Sequence, residues 1–521
     1  MSHLLLYYQR PEPATWVFLS SFLMISVYFV FHRFFCVRNL DIVLLLLLAP
    51  GLMMVYEGRR MQATAVVSAE AEKLALRHGI VPADDAGHRP TLTATLAVPS
   101  DAGASASRAG LAAAVVPNGD EVAVDMQSAD TRGAGNPGPT VRRDGYPVET
   151  SRRQEGERLE FYGFLALLGA CALLLIRMLC DPALVRRPLL DPNLSIGGLT
   201  FIGGALFLFL MANVITSTPE DAARGPRLGP GYPLLSMLPE LPTTPDRETR
   251  SWPPQGPSQS AWLTNLARAL AILSNFLIVA GMVSVGYWHF ANIRTGVGCA
   301  VLYLMLPYTA QMTGNLEHTV PAAFLVLSVL TYRQPLVSGT MLGMAAGLVY
   351  YPIFLLPLWF SFYWYRGAKR FAAGLLVSIL FLVGLLLLQG MEAFGEHVRQ
   401  MFGLWLPRMQ GLEGIWAEGR VPTDFRLPVL VACILLSASY AFWPGRKNLG
   451  TLMSGTAALM LAVQFWHGFG GGLYMAWYLP LTILTMFRPN LDDRIALTVV
   501  RGGRKLGTVS STGGSVSVSD R

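Results

Sequence analysis

A polar pentapeptide interrupts a long apolar stretch of this chain and carries groups that could do chemistry. It reads Gly-Asn-Leu-Glu-His at positions 314–318, with an apolar run on each side. Asn315 and His318 could hold a phosphate or a sugar hydroxyl, and Glu317 could act as a general base. An ionisable group at the end of an apolar run indicates function by default, although these residues would also suit a solvated turn between two helices.

Three more positions offer acid–base groups next to apolar runs. Glu57 and Asp221 each follow such a run, so either carboxylate could deprotonate an acceptor hydroxyl. Motifs this short are weak evidence, which favours an interfacial anchor at Glu57 and a turn at Asp221, within Thr-Pro-Glu-Asp. His467 precedes a glycine-rich segment that could let the backbone approach a ligand or could equally form a flexible turn.

The elements that must position these residues are membrane helices. Of the 521 residues, 52% are hydrophobic and only 14% are charged, whereas a typical soluble protein has about 25% charged residues. One span needs about 20 apolar residues, and the apolar runs predict about 11–13 transmembrane or half-membrane helices. The sequence therefore predicts an all-α polytopic membrane protein whose first partner is the lipid bilayer.

Charge and cysteine usage exclude several classes of site. The net charge is +7, but the basic residues cluster beside apolar runs as the positive-inside rule requires, so nucleic-acid binding is not predicted. The five cysteines lie in or beside apolar runs at no metal-ligand spacing, so we expect neither a disulfide framework nor a zinc site. A divalent metal is compatible with the chemistry, but no ligand spacing indicates one, and no cofactor is predicted.

Composition divides the chain into membrane and non-membrane parts. Residues 1–56 hold two N-terminal spans, and residues 159–488 form a multi-helix membrane domain with extracytoplasmic loops at 217–260 and 390–426. Between them, residues 57–158 are rich in alanine, glycine, serine and charged residues and nearly lack aromatic residues. Such a segment cannot bury a core, which predicts a long disordered extracytoplasmic loop.

The basic residues define one orientation if a single apolar segment turns back on itself. The basic, then Gly/Ser-rich tail at 489–521 is placed in the cytoplasm. If membrane crossings are counted back from this tail, all the short basic connections lie on the cytoplasmic side only when residues 337–364 form a re-entrant pair of half-length helices. Tyr350, Tyr351 and Pro352 supply the break in that pair. The candidate carboxylates and histidines then lie together on the outer side.

Aromatic residues offer further contacts for a substrate. Tyr350 and Tyr351, at the predicted break, are expected to contact substrate together with His467. Near the end of the apolar sequence, the pattern of Tyr474, Trp477 and Tyr478 is typical of an interfacial aromatic belt. Stacking on a sugar or gripping a lipid chain is the alternative for these residues.

Short motifs in residues 308–370 and in the last apolar run resemble those of a known family. The matching residues are Gly314-Asn315, Arg333-Gln334-Pro335-Leu336, Gly339, Leu342-Gly343-Met344-Ala345, Tyr351-Pro352, Leu356-Pro357, Arg366, Trp477-Tyr478-Leu479-Pro480 and Phe487-Arg488-Pro489. They resemble bacterial GT-C integral-membrane glycosyltransferases, and most nearly the polyprenol-phosphate-mannose-dependent mannosyltransferases. The resemblance covers about a third of the chain.

The resemblance implies a GT-C-like fold and a reaction at the outer side of the bacterial inner membrane. A hexose such as mannose would move from a polyprenyl-phosphate-linked donor to a glycan or lipid acceptor. Glu57 or Asp221 would be the base, with Glu317 and His318 near the donor and His467 at the phosphate. The family often has a lysine just before the Tyr-Pro break, and here Tyr350 holds that place.

Two other functions remain open from the sequence. A broken helix pair is also how transporters build sites near the middle of the membrane, which would suit a small or lipid-linked solute. The chain shows no internal repeat, however, and few charges in mid-span. The other alternative is a catalytically inactive membrane scaffold whose long loop recruits partners.

Overall fold

The architecture is all-helical and membrane-like. The computed structural model describes residues 12–77, 146–184, 190–219, 229–243, 261–388, 394–395, 412–445, 447–468 and 473–489, with no β-strand among them. In this part of the chain seven helices are long and apolar enough to cross a membrane, and five shorter apolar helices accompany them. The prediction of an all-α polytopic membrane protein is therefore confirmed.

Six α-helices make up the N-terminal part of the described chain. They are α1 (Pro13–Tyr28), α2 (Val37–Leu46), α3 (Leu48–Arg77), α4 (Tyr146–Leu179), α5 (Ile196–Ile215) and α6 (Tyr232–Ser236). α1 and α6 each have a proline in the first turn, where its missing N–H costs no hydrogen bond.

Ten α-helices follow in the described residues. They are α7 (Ala261–Trp288), α8 (Ile293–Met305), α9 (Pro307–Met312), α10 (Leu316–Leu330), α11 (Pro335–Leu348), α12 (Leu356–Tyr363), α13 (Ala368–Leu387), α14 (Arg426–Phe442), α15 (Leu449–Trp466) and α16 (Leu479–Met486). Short 3₁₀ helices occur at Asp181–Ala183, Tyr351–Leu355, Gly414–Trp416, Thr423–Phe425 and Met475–Trp477.

The predicted loop at 57–158 is helical at both ends. α3 continues through Arg77 and α4 begins at Tyr146, whereas residues 78–145 lie outside the described part. Glycines allow these two helices to touch backbone to backbone: a methyl group added at Gly58 would lie 2.6 Å from the backbone nitrogen of Glu160. Because the two helices pack this closely, both continue into the segment 57–158, for which composition alone predicts a loop.

The contacts separate residues 66–151 from the rest of the chain as a second unit. Its described residues, 66–77 and 146–151, are helical and belong to α3 and α4. The first unit comprises residues 1–65 and 152–521.

Helices α11 and α13 pack against each other in parallel. A methyl group added at Gly339 would lie 2.2 Å from the carbonyl oxygen of Phe371, and one added at Gly347 would lie 2.3 Å from Leu382. Positions therefore increase together along the two helices, which defines a parallel pair. Small residues permit so close an approach between membrane helices. The chain between the two helices must consequently run back to the starting end.

The returning segment is the predicted bent pair of short helices. After α11, the chain breaks at Tyr350, forms the 3₁₀ helix Tyr351–Leu355 and continues as α12. At the far end, the Tyr363 hydroxyl donates to the carbonyl oxygen of Tyr332, just before α11, at 2.6 Å. With 14 residues, α11 is about 21 Å long, short of the hydrocarbon core of about 30 Å. The predicted turn-back of this segment is confirmed.

This turn-back gathers basic residues at one end of the bundle. Arg333 precedes α11, and Arg366 precedes α13, so the parallel pair places both at the same end. His289, just after α7, contacts the carbonyl oxygen of Leu330 at the end of α10 at 2.7 Å. Arg294, which follows at the start of α8, therefore shares this basic end.

A buried ionic network ties helices together at the basic end. Arg177 of α4 lies 2.7 Å from Asp41 of α2, and Arg488 lies 2.9 Å from Asp181. Both carboxylates are fully buried, and Arg177 also reaches Asp181 at 3.5 Å. Because each buried charge has a partner of opposite sign, removal of any member would leave an uncompensated charge.

We expect Gly339→Ala to destabilise the protein by about 1–3 kcal/mol, the usual cost of overpacking, because the added methyl group meets the backbone of α13. Gly384→Ala on α13 is the matched control, since nothing lies within 4 Å of its added methyl group. Thermal unfolding in detergent measures both variants. Equal melting temperatures for the two would contradict the parallel contact.

Cysteine labelling tests which side of the membrane each end of α13 faces. Lys369 and Glu418 are both exposed, and the positive-inside rule places Lys369 in the cytoplasm. With Cys36 and Cys180 replaced by serine, Glu418→Cys should react with an impermeant maleimide in intact cells. Lys369→Cys should react only after permeabilisation. Reaction of both from the outside would rule out the proposed sidedness.

Candidate functional site

Glu317 is the centre of a cluster at the end of the bundle opposite the basic end. It lies in the first turn of α10, and its half-buried carboxylate accepts a short hydrogen bond from the Tyr232 hydroxyl. The Tyr474 hydroxyl approaches the other carboxylate oxygen at 3.5 Å, and the indole of Trp477 donates to the Glu317 carbonyl at 3.1 Å. The helix N-terminus and the phenol donors favour the charged carboxylate.

Tyr232 reaches Glu317 from the loop between α5 and α7. Its helix α6 is anchored where the Gly231 backbone donates to the carbonyl of Gly347 at 2.8 Å. Burial, and then the Glu317 carboxylate, raise the pKa of Tyr232 well above its usual value. The phenol therefore stays protonated and acts as a donor. Only a mildly apolar stretch within a Pro-rich loop marked this residue in the sequence.

His318 lies beside Glu317 and faces two tyrosines. Its Nδ1 is 2.6 Å from the Tyr308 hydroxyl, and its ring stacks on Tyr474 with centroids 4.2 Å apart. The side chain is 7% exposed. The predicted pair Glu317–His318 therefore points into a shared aromatic environment rather than a solvated turn.

His467 joins the same cluster from the end of α15. The Tyr351 hydroxyl is 2.8 Å from its Nδ1, and its ring centroid lies 4.4 Å from that of Tyr474. Tyr350 stacks on Tyr351 at 4.2 Å. Burial, and then Arg426 and His318, lower the pKa of His467, so the imidazole is neutral near neutral pH. The structure thus brings together five predicted site residues: Glu317, His318, Tyr350, Tyr351 and His467.

Arg426 brings a buried cation to the tyrosine pair. It is the first residue of α14 and is 2% exposed. Its guanidinium carbon lies 5.2 Å from the centre of the Trp466 ring, which in turn is 5.6 Å from that of Tyr351. In the sequence Arg426 resembles an ordinary basic residue at the end of a loop, so the prediction missed it.

The aromatic belt predicted at Tyr474, Trp477 and Tyr478 is wrong, since all three side chains are buried. Tyr474 is 5% exposed and Trp477 is 1% exposed, and both contact Glu317. The reason is that the following helix α16 is buried along its whole length and directs this segment into the bundle. The alternative for these residues, stacking on a sugar or gripping a lipid chain, stays a prediction.

The remaining predicted residues lie elsewhere or outside the described chain. Asn315 occupies the N-cap of α10, and its amide donates to the Met312 sulfur at 3.3 Å. Glu57 lies within α3, where it pairs with Arg60 at 3.6 Å on the helix surface, and no described contact joins it to Glu317. Asp221 lies outside the described residues.

A short loop at 412–425 lies against the turn that carries His467. The Glu413 backbone donates to the carbonyl of Gly468 at 2.8 Å, and the Trp416 indole donates to the carbonyl of Phe465 at 3.0 Å. This loop therefore covers one side of the cluster and ends at Arg426.

Glu160 ties that loop to the N-terminal helices. It is 8% exposed and lies 2.7 Å from Arg420 of the loop and 2.9 Å from Arg59 of α3. Gln62 adds a hydrogen bond at 3.1 Å. A single buried carboxylate thus connects α3, α4 and the loop beside the site.

The chemistry available at the cluster is a carboxylate base, two histidines, a buried cation and a wall of aromatic rings. Among the described residues there is no group of three or more His, Cys, Asp and Glu side chains that could hold a metal ion.

Comparisons with known proteins found no match among family models, curated proteins or solved structures. Function therefore has to be inferred from the residues themselves.

We expect Glu160→Gln to lower the free energy of unfolding by about 2 kcal/mol. Breaking a fully buried ion pair costs about 3–5 kcal/mol, and the cost is smaller here because the two arginines are partly exposed. Glu157→Gln on the same helix is the control, since its pair with Arg153 is exposed and should contribute under about 1 kcal/mol. Chemical denaturation measures stability, and proteolysis at Arg420 reports release of the loop. Equal effects of both variants would contradict the network.

Proposed function

We propose that the protein is a membrane glycosyltransferase of the GT-C type. In this proposal it moves a hexose, such as mannose, from a polyprenyl-phosphate-linked donor to a glycan or lipid acceptor. The observation that carries it is the Glu317 carboxylate, held by tyrosine donors within the same aromatic cluster as the buried Arg426. A base and a cation in one cluster are what transfer from a sugar phosphate requires.

The acceptor hydroxyl would be activated by Glu317. Its oxygen attacks the anomeric carbon of the sugar while its proton passes to the Glu317 carboxylate. The bond between that carbon and the phosphate oxygen breaks, and the phosphate leaves on the polyprenyl chain with one more negative charge. Tyr232 remains protonated and orients one oxygen of Glu317, which leaves the base in a defined position.

The charge that develops on the leaving phosphate needs donors, and Arg426 with the tyrosine pair supports this role. The guanidinium is always charged and its planar fork suits phosphate oxygens. Tyr350, half-buried beside Tyr351 at the bend, adds a hydroxyl near this cation. In the family that this chain resembles, a lysine often precedes the Tyr-Pro break. Here Arg426 brings a cation to the same bend from another helix.

Sidedness supports an extracytoplasmic reaction. The turn-back places the basic residues around Arg333 and Arg366 at one end and Glu317 a full helix length away at the other. Under the positive-inside rule the site then faces outward, which in a bacterium is the outer side of the inner membrane. In this proposal the lipid-linked donor enters the site from the bilayer.

A transporter is the second candidate, and the broken pair α11–α12 is the observation that favours it. Transporters use such breaks to bind a solute near the middle of the membrane. The clustering of a carboxylate with a buried arginine at one end of the bundle favours the enzyme instead.

Replacement of Glu317 tests the proposal. Because a general base contributes about 10²–10⁴-fold to rate, Glu317→Gln should lower the rate of transfer by at least about 100-fold. Glu418→Gln, an exposed residue of the neighbouring loop, should leave the rate unchanged. The assay supplies radiolabelled polyprenyl-phosphate mannose and membrane glycan to purified protein in liposomes and measures release of polyprenyl phosphate.

A wild-type rate in the Glu317→Gln variant would reject the carboxylate as the base. Uptake of free sugar into the same liposomes, without release of polyprenyl phosphate, would support the transporter. Melting temperatures of both variants show whether a lost rate reflects chemistry or loss of the fold.

A further inference from the structure

A cavity of about 690 Å³ opens at the basic end, far from the Glu317 cluster. It lies at the turn between α1 and α2, and its lining includes Phe29, Phe31, Arg33, Arg38 and Asp191. Its volume is in the range of about 300–1,000 Å³ that is usual for small-molecule sites. The lining combines cations with aromatic rings, which suits an amphipathic ligand.

The turn that forms the cavity has a fixed shape. The Asn39 side chain is 1% exposed and donates to the carbonyls of Val30, Arg33 and Phe34 at 2.9–3.1 Å. Arg38 donates to the carbonyl of Tyr28 at 2.7 Å and 2.9 Å. Two buried polar side chains therefore hold this turn in one conformation, so the cavity exists before any ligand arrives.

Three phenylalanines surround the turn without cover from the described protein. Phe31 is 67% exposed, Phe34 is 64% exposed and Phe35 is 100% exposed. Apolar surface of this size is unfavourable in water, at about 25 cal/mol per Å². At the basic end of a membrane bundle, this apolar surface would be buried in the interfacial region of the bilayer. The cavity therefore opens where lipid headgroups lie.

Charge in the cavity selects the kind of lipid. His32 and Arg33 are exposed and line the cavity with Arg38. Asp191 is the acid among the described lining residues, and Arg294 neutralises it at 2.8 Å. The cavity is left with excess positive charge, and the cytoplasmic leaflet is the one that carries anionic lipids.

From this geometry we propose that the turn between α1 and α2 binds an anionic phospholipid of the cytoplasmic leaflet. Arg33 and His32 hold its phosphate, and the acyl chains lie along Phe31, Phe34 and Phe35. This site is independent of the proposed glycosyl transfer and would exist in an enzyme, a transporter or a scaffold alike.

Lipid retention on the purified protein tests the proposal. Native mass spectrometry compares phosphatidylglycerol with phosphatidylcholine of the same chain length. Arg33→Gln should lower retention of phosphatidylglycerol by about tenfold, as expected for loss of a charge-assisted hydrogen bond. Arg370→Gln, which removes another exposed cation at the same end, is the matched control and should change retention by less than about twofold, because it makes no such hydrogen bond to the lipid.

Two further arms separate other sources of the same effect. Phe35→Ser should weaken retention of phosphatidylglycerol while leaving the cations in place, and glycerol phosphate should compete poorly. Equal losses with Arg33→Gln and Arg370→Gln would show a general charge effect and overturn the site. Glycerol phosphate that binds as tightly as the lipid, or no preference over phosphatidylcholine, would also overturn it.

Discussion

The parallel contact between α11 and α13 is the constraint on which the rest of the structure depends. Backbone at Gly339 touches backbone at Phe371, and no larger residue than glycine fits that approach. Two parallel helices in one chain need a return segment, and the return segment supplies the bend at Tyr350 and Tyr351. The bend in turn meets His467 and Trp466, so the parallel packing of α11 and α13 determines where this part of the candidate site can form.

The same constraint explains the separation of charge. Basic residues follow the ends of α7 and α10 and precede α11 and α13, and all of these ends coincide. Glu317 lies in the first turn of α10, whereas His467 lies at the C-terminal end of α15. Both residues nevertheless belong to the same cluster. The pairing of Asp41 with Arg177 then secures the N-terminal helices at the basic end.

Much of this arrangement could be predicted from local sequence, because the signals are local. The bent pair follows from Pro352 and the positive-inside count, and Glu317 with His318 follows from ionisable groups set among apolar residues. Tyr232 and Arg426 could not be predicted. Their importance comes from contacts with residues 85 positions away in one case and 40 in the other. The error at Trp477 has the same origin, since an aromatic side chain that faces lipid and one that is buried against the backbone of another helix look alike in sequence.

The position of Trp477 and Tyr474 also governs how the site is assembled during synthesis. These rings form the wall between Glu317 and His467, but the ribosome makes them after every other described part of the cluster. While the earlier helices enter the membrane, the backbone carbonyl of Glu317 still lacks its indole donor, and the Glu317 carboxylate still lacks its second phenol partner. Completion of the cluster is therefore a late event in biogenesis.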